Sequence, residues 1–270
     1  MANNLTTKVK DFLLSRSVQE HRELPNDFDL LEMPLEAVLA YWLSVGKVMS
    51  SRDASFLARE RENTSEPFIS HLLGLLGSSL APEKVEKYAA VKKKTIIDDL
   101  QRKFVLMSIS ILGMATNENP QKVLIRIISK FSISPVYEKQ IFEAAQAALS
   151  GLDQNEAHRK RFLNVDHRMK LESLILNLII HNMLSRRLGG KELKEYISYV
   201  RSFYFAEGLS YIIDGFEYDF IKYRLNLQKK AILDLTETKM DMSLNLCSGI
   251  KAGMSYDDLK LVGSSYMLSE

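Results

Sequence analysis

Apolar residues recur at intervals of three and four along most of this chain. That spacing places them on one face of an α-helix. No stretch alternates apolar and polar residues between turn residues, as a half-buried strand would. The pattern therefore predicts an all-α protein, a multi-helix bundle of about eight to ten helices with no significant sheet.

Helix start and stop signals support this prediction. A proline at the first helical position loses no hydrogen bond, so it often marks a helix start. Starts are predicted at Pro34, Pro67, Pro120 and Pro135. Residues 154–187 are predicted to be mostly helical, with a break near 164–166 and a stop at the glycine pair 189–190. Further helices are predicted over Leu5–Leu14 and, as a fully buried segment, over Phe104–Ala115.

The strongest periodic signal lies between Leu209 and Ala231. Gaps of three and four persist there for about six turns, which predicts one continuous helix. Its apolar positions are Leu209, Ile212, Ile213, Phe216, Phe220, Tyr223, Leu227 and Ala231. Another helix with an aromatic stripe is predicted just before it, over Lys191–Phe205.

The length of 270 residues fits one large domain or two smaller ones. A boundary near Ser150–Gln154 would give an N-terminal helical half, 1–150, and a C-terminal helical half, 151–270. Periodicity weakens beyond Leu235, so a weakly structured tail is predicted from about residue 236, with a short helix near Tyr256–Val262. A single compact domain is the alternative.

Composition narrows the class of protein. Basic residues number 36 and acidic residues 34, and this balance argues against nucleic acid as the main partner. A single cysteine, Cys247, cannot form an internal disulfide. The N-terminus shows no secretory signal, and the longest apolar stretches are too short to span a membrane. We therefore expect a cytoplasmic protein with no membrane span.

No catalytic signature stands out. The chain has no Gly-x-Ser-x-Gly nucleophile turn, no phosphate-binding glycine loop and no His-Glu-x-x-His zinc motif. We accordingly predict no catalytic, cofactor-binding or metal-ligating residues, no cofactor and no enzymatic activity. An enzyme with a site assembled from residues far apart in sequence is one alternative.

A run of aromatic and acidic residues is the first candidate site. The commoner interpretation of such a run is a helix with one buried stripe, but tyrosine-rich faces also dominate interface hot spots. From Glu207 onward the members share one face if the helix is continuous through Gly208. The candidate protein-binding surface comprises Tyr196, Tyr199, Phe203, Glu207, Tyr211, Asp214 and Tyr218.

A basic stretch is the second candidate. Solvated helix faces explain most such charges, yet a phosphate-contacting face is conceivable here. The candidate basic patch comprises Arg159, Lys160, Arg161, Arg168, Lys170, Arg186 and Arg187. The sequence therefore favours a regulatory or adaptor protein whose partner is another protein, bound through a helical surface or groove. Nucleic-acid binding through residues 159–187 is the alternative, and a homo-oligomer is compatible with either.

Overall fold

The structure, a computed structural model, describes residues 29–50, 56–152 and 156–267. Helices account for 77% of the described residues, and none of these residues forms a strand. The predicted all-α class is confirmed, and the twelve helices of the described residues slightly exceed the predicted number. The helix predicted over Leu5–Leu14 lies outside the described residues.

Eleven of the twelve helices are α-helices and one is a 3₁₀ helix, named η1. In chain order they are α1 Leu35–Ser50, α2 Phe56–Asn63, α3 Pro67–Leu76, α4 Pro82–Ala115, α5 Pro120–Ile128, α6 Glu138–Gly151, α7 Glu156–Phe162, α8 Leu171–Leu188, η1 Lys191–Tyr199, α9 Phe203–Ile213, α10 Tyr218–Lys251 and α11 Tyr256–Ser264.

Capping side chains explain several helix starts. A Glu66 carboxylate oxygen accepts the backbone N–H of Ile69 at 2.7 Å, just before Pro67 opens α3. The Asn119 side chain accepts the N–H of Gln121 at 2.9 Å and starts α5 in the same way. Each cap satisfies one of the N–H groups that the first turn leaves without a helical partner.

The helix predicted to open at Pro135 begins three residues later, at Glu138. The Ser134 hydroxyl donates to the Val136 carbonyl at 2.6 Å and accepts the Val136 N–H at 3.3 Å. Local hydrogen bonds of this kind hold a turn in place of the first helical residues.

The prediction of one continuous helix over Leu209–Ala231 is wrong, because α9 ends at Ile213 and α10 begins at Tyr218. Gly215 has a φ of +76°, a conformation that glycine adopts without steric cost. The N–H of Gly215 donates to the Ile212 carbonyl at 3.1 Å, and that of Phe216 donates to the Tyr211 carbonyl at 3.0 Å. These two bonds form a Schellman stop, which the apolar periodicity concealed.

The prediction over Lys191–Phe205 is also corrected. The segment forms η1 and then the start of α9, and residues 200–202 separate the two. The Ser202 hydroxyl accepts the N–H of Phe205 at 3.3 Å and caps α9. A serine three residues before a helical N–H is a usual N-cap, and it fixes the boundary here.

The chain beyond Leu235 is more ordered than predicted, since α10 continues to Lys251. Its inner side carries polar residues that are almost fully buried, among them Thr236, Lys239 and Ser243. Lys239 Nζ donates to the carbonyls of Leu30 at 2.7 Å and Leu31 at 3.1 Å. Polar residues at buried positions break the apolar pattern, and this is why the periodicity weakens. The short predicted helix near Tyr256–Val262 is confirmed as α11.

Two compact units divide the chain. One combines the segment up to Ile97 with the segment from Asp234, and the other comprises Asp98–Leu233. Both divisions fall inside 34-residue helices, α4 and α10. The halves predicted at 1–150 and 151–270 follow chain order, whereas the first unit pairs an early segment with a late one.

Each unit has its own core. In the first unit Trp42 and Phe68 are fully buried, together with Leu246 and Cys247 from the end of α10. In the second unit the predicted buried segment of α4 is confirmed, because most residues from Phe104 to Met114 are buried. Polar groups enter that core as well: Asn182 donates to the Ser110 hydroxyl at 2.7 Å and to the Leu178 carbonyl at 2.8 Å.

Candidate interaction surface

Four polar side chains connect α9 to the start of α10. The Tyr211 hydroxyl and the Gln228 amide each donate to the carboxylate of Glu207. Arg224 Nε donates to the Tyr211 hydroxyl at 3.3 Å, and its Nη2 lies 3.7 Å from Glu207. Burial, followed by the bond to the Glu207 carboxylate, raises the pKa of Tyr211, so its hydroxyl stays a donor. We name Glu207, Tyr211, Arg224 and Gln228 the α9–α10 brace.

The aromatic rings of Phe216 and Phe220 pack against the Tyr211 ring of this brace. The ring of Tyr211 meets Phe216 edge-on at 5.9 Å between centroids and Phe220 edge-on at 5.8 Å. Phe216 and Phe220 stack on each other at 4.5 Å with 19° between their planes. Edge-to-face and offset-stacked geometries are the favourable ones for aromatic rings. The three rings therefore pack against one another in favourable geometry.

Three large apolar side chains, Phe220, Tyr223 and Leu227, continue along this side of α10, and they face solvent together with Phe216, which precedes the helix. Within α10, spacings of three and four residues put Phe220, Tyr223 and Leu227 on one helical face. Their exposed fractions are 46% for Phe216, 41% for Phe220, 65% for Tyr223 and 48% for Leu227. We name these four residues the α10 face. All four belong to the periodic stripe between Leu209 and Ala231.

A second apolar pair explains why the stripe is exposed. Ile221 is fully buried and Leu225 nearly so, and they lie on the other side of α10. The buried Tyr204 hydroxyl donates to the Leu225 carbonyl at 3.2 Å. The helix is thus apolar on two sides, and the smaller set enters the core. The larger set remains as an exposed apolar patch, a feature that marks interaction sites on proteins.

The structure brings together only some residues of the candidate protein-binding surface. Glu207 and Tyr211 belong to the brace, while Asp214 caps the end of α9. Tyr218 begins α10, and its ring centroid lies 5.9 Å from Lys222 Nζ. Phe203, at the start of α9, is 71% exposed.

Two tyrosines of that candidate surface, Tyr196 and Tyr199, lie on η1. The Tyr199 hydroxyl donates to a Glu156 carboxylate oxygen on α7 at 2.9 Å. Phe220, Tyr223, Leu227, Arg224 and Gln228 were absent from the candidate surface, although three of them were in the periodic stripe.

The candidate basic patch separates into three groups, of which the first, Arg159, Lys160 and Arg161, lies on α7. Arg168 and Lys170 precede α8, whereas Arg186 and Arg187 are in its last turn. Sixteen residues of helix, from Lys170 to Arg186, correspond to an axial separation of about 24 Å. These residues therefore lie at opposite ends of α8.

Several of these cations already have partners. Arg168 Nη2 lies 3.1 Å from Asp166, whose pKa is held below its usual value against the effect of burial, chiefly by hydrogen bonds from Arg168. Lys160 lies 3.7 Å from Glu156. Arg159 Nε donates to the Leu152 carbonyl at 2.6 Å, and the Arg161 guanidinium lies 5.1 Å from the Phe162 ring centroid. Less of the charge is free to meet phosphates than the sequence indicates.

Arg186 and Arg187 line an open groove of about 420 Å³ in the second unit. The rest of its lining comes from the start of α5, from α6 and from α8: Asn119, Pro120, Gln121, Phe142, Gln146, Leu149 and Met183. This lining has no carboxylate, imidazole or thiol, so the groove offers no general base or nucleophile.

Two residues that could carry chemistry are buried. Cys247 Sγ lies 3.6 Å from the Leu72 carbonyl, and burial raises the pKa of its thiol to about 12. A thiol with so high a pKa is not a nucleophile at neutral pH. His181 Nε2 lies 2.9 Å from the Leu163 carbonyl inside the second unit. Among the described residues, no three His, Cys, Asp or Glu side chains converge on a metal-sized site.

Comparison of the chain with protein-family models, with curated proteins and with solved structures finds no match. Within the described part of the chain, none of the helices combines the length and the apolarity needed to cross a membrane.

Proposed function

We propose that this protein is a non-enzymatic protein–protein interaction protein, an adaptor or regulator, that binds its partner through the α10 face. One observation carries the proposal: the large apolar side chains of Phe220, Tyr223 and Leu227, on one side of α10, and of Phe216, which stacks on Phe220, are 41–65% exposed. Rigid aromatic side chains lose little conformational entropy on binding and supply most of the energy at interfaces. Helical faces of this kind dock into grooves or against other helices.

The alternatives have less support. A nucleic-acid face over residues 159–187 would need its cations on one side, but they are divided between α7 and the two ends of α8, and several have partners. An enzyme would need a pocket with titratable groups of perturbed pKa. The Arg186–Arg187 groove has neither an acid nor a base. We also propose a cytoplasmic location, which is compatible with the single buried cysteine.

A capture experiment with matched variants tests the function. The tagged chain is incubated with lysate of its native source and bound proteins are quantified. One variant carries Tyr223→Ser and Leu227→Ser on the α10 face. The control carries Ile133→Ser and Tyr137→Ser, which are also exposed apolar residues of the second unit, at 86% and 77%. All four side chains are exposed, so folding should change little.

We expect proteins that bind the unmodified chain and the control to be lost from the Tyr223/Leu227 variant. Capture that is the same for all three chains would overturn the assignment of the face. A fluorescence titration with short DNA and RNA at low and high salt addresses the alternative, because phosphate contacts weaken steeply as salt rises. We expect no salt-dependent binding.

A further inference from the structure

Charged residues beside the α10 face determine which partner fits it. Asp219 and Lys230 are both exposed. They are eleven residues apart, which is three helical turns plus a rotation of about 20°, so they lie on the same flank of the helix. Asp219 is near the start of α10, and Lys230 is about 16 Å further along. The flank is thus acidic at one end and basic at the other.

The opposite flank is already occupied. Arg224 and Gln228 lie on that flank and bind Glu207 of α9 in the brace. A helix laid against the α10 face therefore has one free flank with which to form polar contacts. Its own flank must be basic where it passes Asp219 and acidic where it passes Lys230.

A second copy of α10 meets this requirement when it runs antiparallel. A two-fold axis between antiparallel helices brings the same flank of each copy together with its direction reversed. Asp219 of each copy then lies beside Lys230 of the other. In a parallel pair the two-fold axis would run along the helices, so this flank of each copy would meet the opposite flank of the other, where Arg224 and Gln228 already bind Glu207.

The same two-fold axis also pairs the apolar residues of the α10 face across the two copies. With the axis at the level of Leu225, Tyr223 of each copy lies opposite Leu227 of the other. Phe220 then lies opposite the aliphatic part of Lys230, which can cover a ring while its ammonium group stays in solvent. Every exposed apolar residue within α10 on this face thereby gains a partner from the second copy.

We propose that the chain self-associates through the α10 face as an antiparallel, two-fold symmetric helix pair, with reciprocal Asp219–Lys230 ion pairs on one flank. This proposal rests on the proposed function and names a second copy of the chain as the partner. The interface is isologous, so the assembly closes as a dimer and does not extend into a filament.

Sedimentation equilibrium of the full chain tests the proposal with reciprocal charge reversals. Asp219→Lys creates a copy with two lysines on the flank, and Lys230→Asp creates one with two aspartates. Each variant alone should dimerise about tenfold more weakly, because both exposed ion pairs become repulsive. An equimolar mixture of the two variants should recover association, because two oppositely charged flanks then meet.

Two further variants complete the test. The double variant Asp219→Lys with Lys230→Asp exchanges the charges within each copy and should dimerise like the unmodified chain. The pair Tyr223→Ser with Leu227→Ser should be monomeric, whereas the control pair Ile133→Ser with Tyr137→Ser should dimerise normally. Circular dichroism and thermal unfolding of each variant at low concentration establish that the monomer is folded.

The results of these experiments distinguish a failure of the dimer proposal from a failure of the proposed function. A chain that is monomeric at high micromolar concentration, or reversals that neither weaken association nor restore it on mixing, would overturn the antiparallel dimer. If the Tyr223/Leu227 variant still loses captured proteins of other kinds, the proposed function stands and only the identity of the partner is wrong. If capture is also unchanged, both proposals fail.

Discussion

His181 is fully buried in the second unit, and only one of its ring nitrogens has a hydrogen bond. Nε2 lies 2.9 Å from the Leu163 carbonyl, which can only accept, so Nε2 carries the proton. Nδ1 has no partner among the described residues, and the ring packs edge-on against Phe205 at 5.1 Å. Burial lowers the pKa of His181 to about 4, because the charged ring would lose its hydration.

This burial makes stability depend on pH. The unfolded chain binds a proton at His181 below the ordinary histidine pKa of about 6.5, whereas the folded chain resists protonation until about pH 4. The contribution of His181 to the free energy of unfolding is therefore fully present above pH 6.5 and is lost as the pH falls toward 4. We expect His181 to account for a loss of about 2 kcal/mol between pH 7 and pH 5.

Urea unfolding of His181→Gln at both pH values measures this contribution. Glutamine can donate to the Leu163 carbonyl but does not titrate. The variant should lose less stability than the unmodified chain between pH 7 and pH 5. The control is Ile133→Gln, an exposed residue of the second unit that does not titrate, and it should keep the original pH dependence. An equal pH dependence in all three chains would contradict the assignment to His181.

Sequence patterns anticipated some residues and missed others. Asn119 and Glu66 precede prolines at predicted starts, and local chemistry fixes their role as caps. The burial of Lys239 depends on carbonyls more than 200 positions away in the chain. Nothing in the local pattern can indicate such a partner, so a buried lysine resembles a solvated one in the sequence.

At the scale of elements, α10 shows what periodicity can and cannot decide. Both its apolar sets, Phe220 with Leu227 and Ile221 with Leu225, have spacings that suit a core-facing helix. The sequence correctly predicted a helix here, but the side that enters the core is decided by α9, which supplies Glu207 and Tyr211. The stop at Gly215 was hidden for the same reason, because an apolar pattern carries no information on a Schellman turn.

The packing of α9 in the second unit depends on a glycine. A Cβ atom at Gly208 would overlap Cδ1 of Ile111, which is fully buried on α4. Gly208→Ala improves helix propensity but must displace the Ile111 side chain from a packed core. We expect a net loss of about 1–3 kcal/mol in the free energy of unfolding, measured by chemical denaturation.

A second substitution isolates the cause. Ile111→Val removes Cδ1, so Gly208→Ala should cost less in the Ile111→Val background than in the unmodified chain. Gly74→Ala in α3 is the control, because its Cβ would be 3.5 Å from the Arg61 side chain, an ordinary contact. That control should be neutral or stabilising by up to about 1 kcal/mol. A Gly208→Ala chain as stable as Gly74→Ala would refute the close contact.

At the scale of the whole molecule, the first unit is built from two segments that are distant in sequence. The core around Trp42 and Phe68 includes Met240, Leu246 and Leu259 from the segment after Asp234. The sequence predicted a helix start at Pro34, shortly before Trp42, but it could not show that residues beyond 234 complete that core. Contacts at such sequence separation leave no local periodic signal.

Trp42 is the only tryptophan of the chain and is fully buried, so its fluorescence reports on the first unit. A chain that ends at Leu233 lacks the α10 and α11 residues of this core. We expect its tryptophan emission to shift to longer wavelength, because the ring becomes exposed to water, while helical circular dichroism from the second unit persists.

The matched substitutions Leu246→Ala and Leu261→Ala test the same dependence without truncation. Leu246 is fully buried in the core of the first unit, whereas Leu261 is 70% exposed on α11. Urea unfolding followed at Trp42 should show a loss of about 2–5 kcal/mol for Leu246→Ala. Leu261→Ala should change stability by no more than about 0.5 kcal/mol. If the truncated chain kept the original emission maximum and Leu246→Ala unfolded like Leu261→Ala, the segment after Asp234 could not be completing this core.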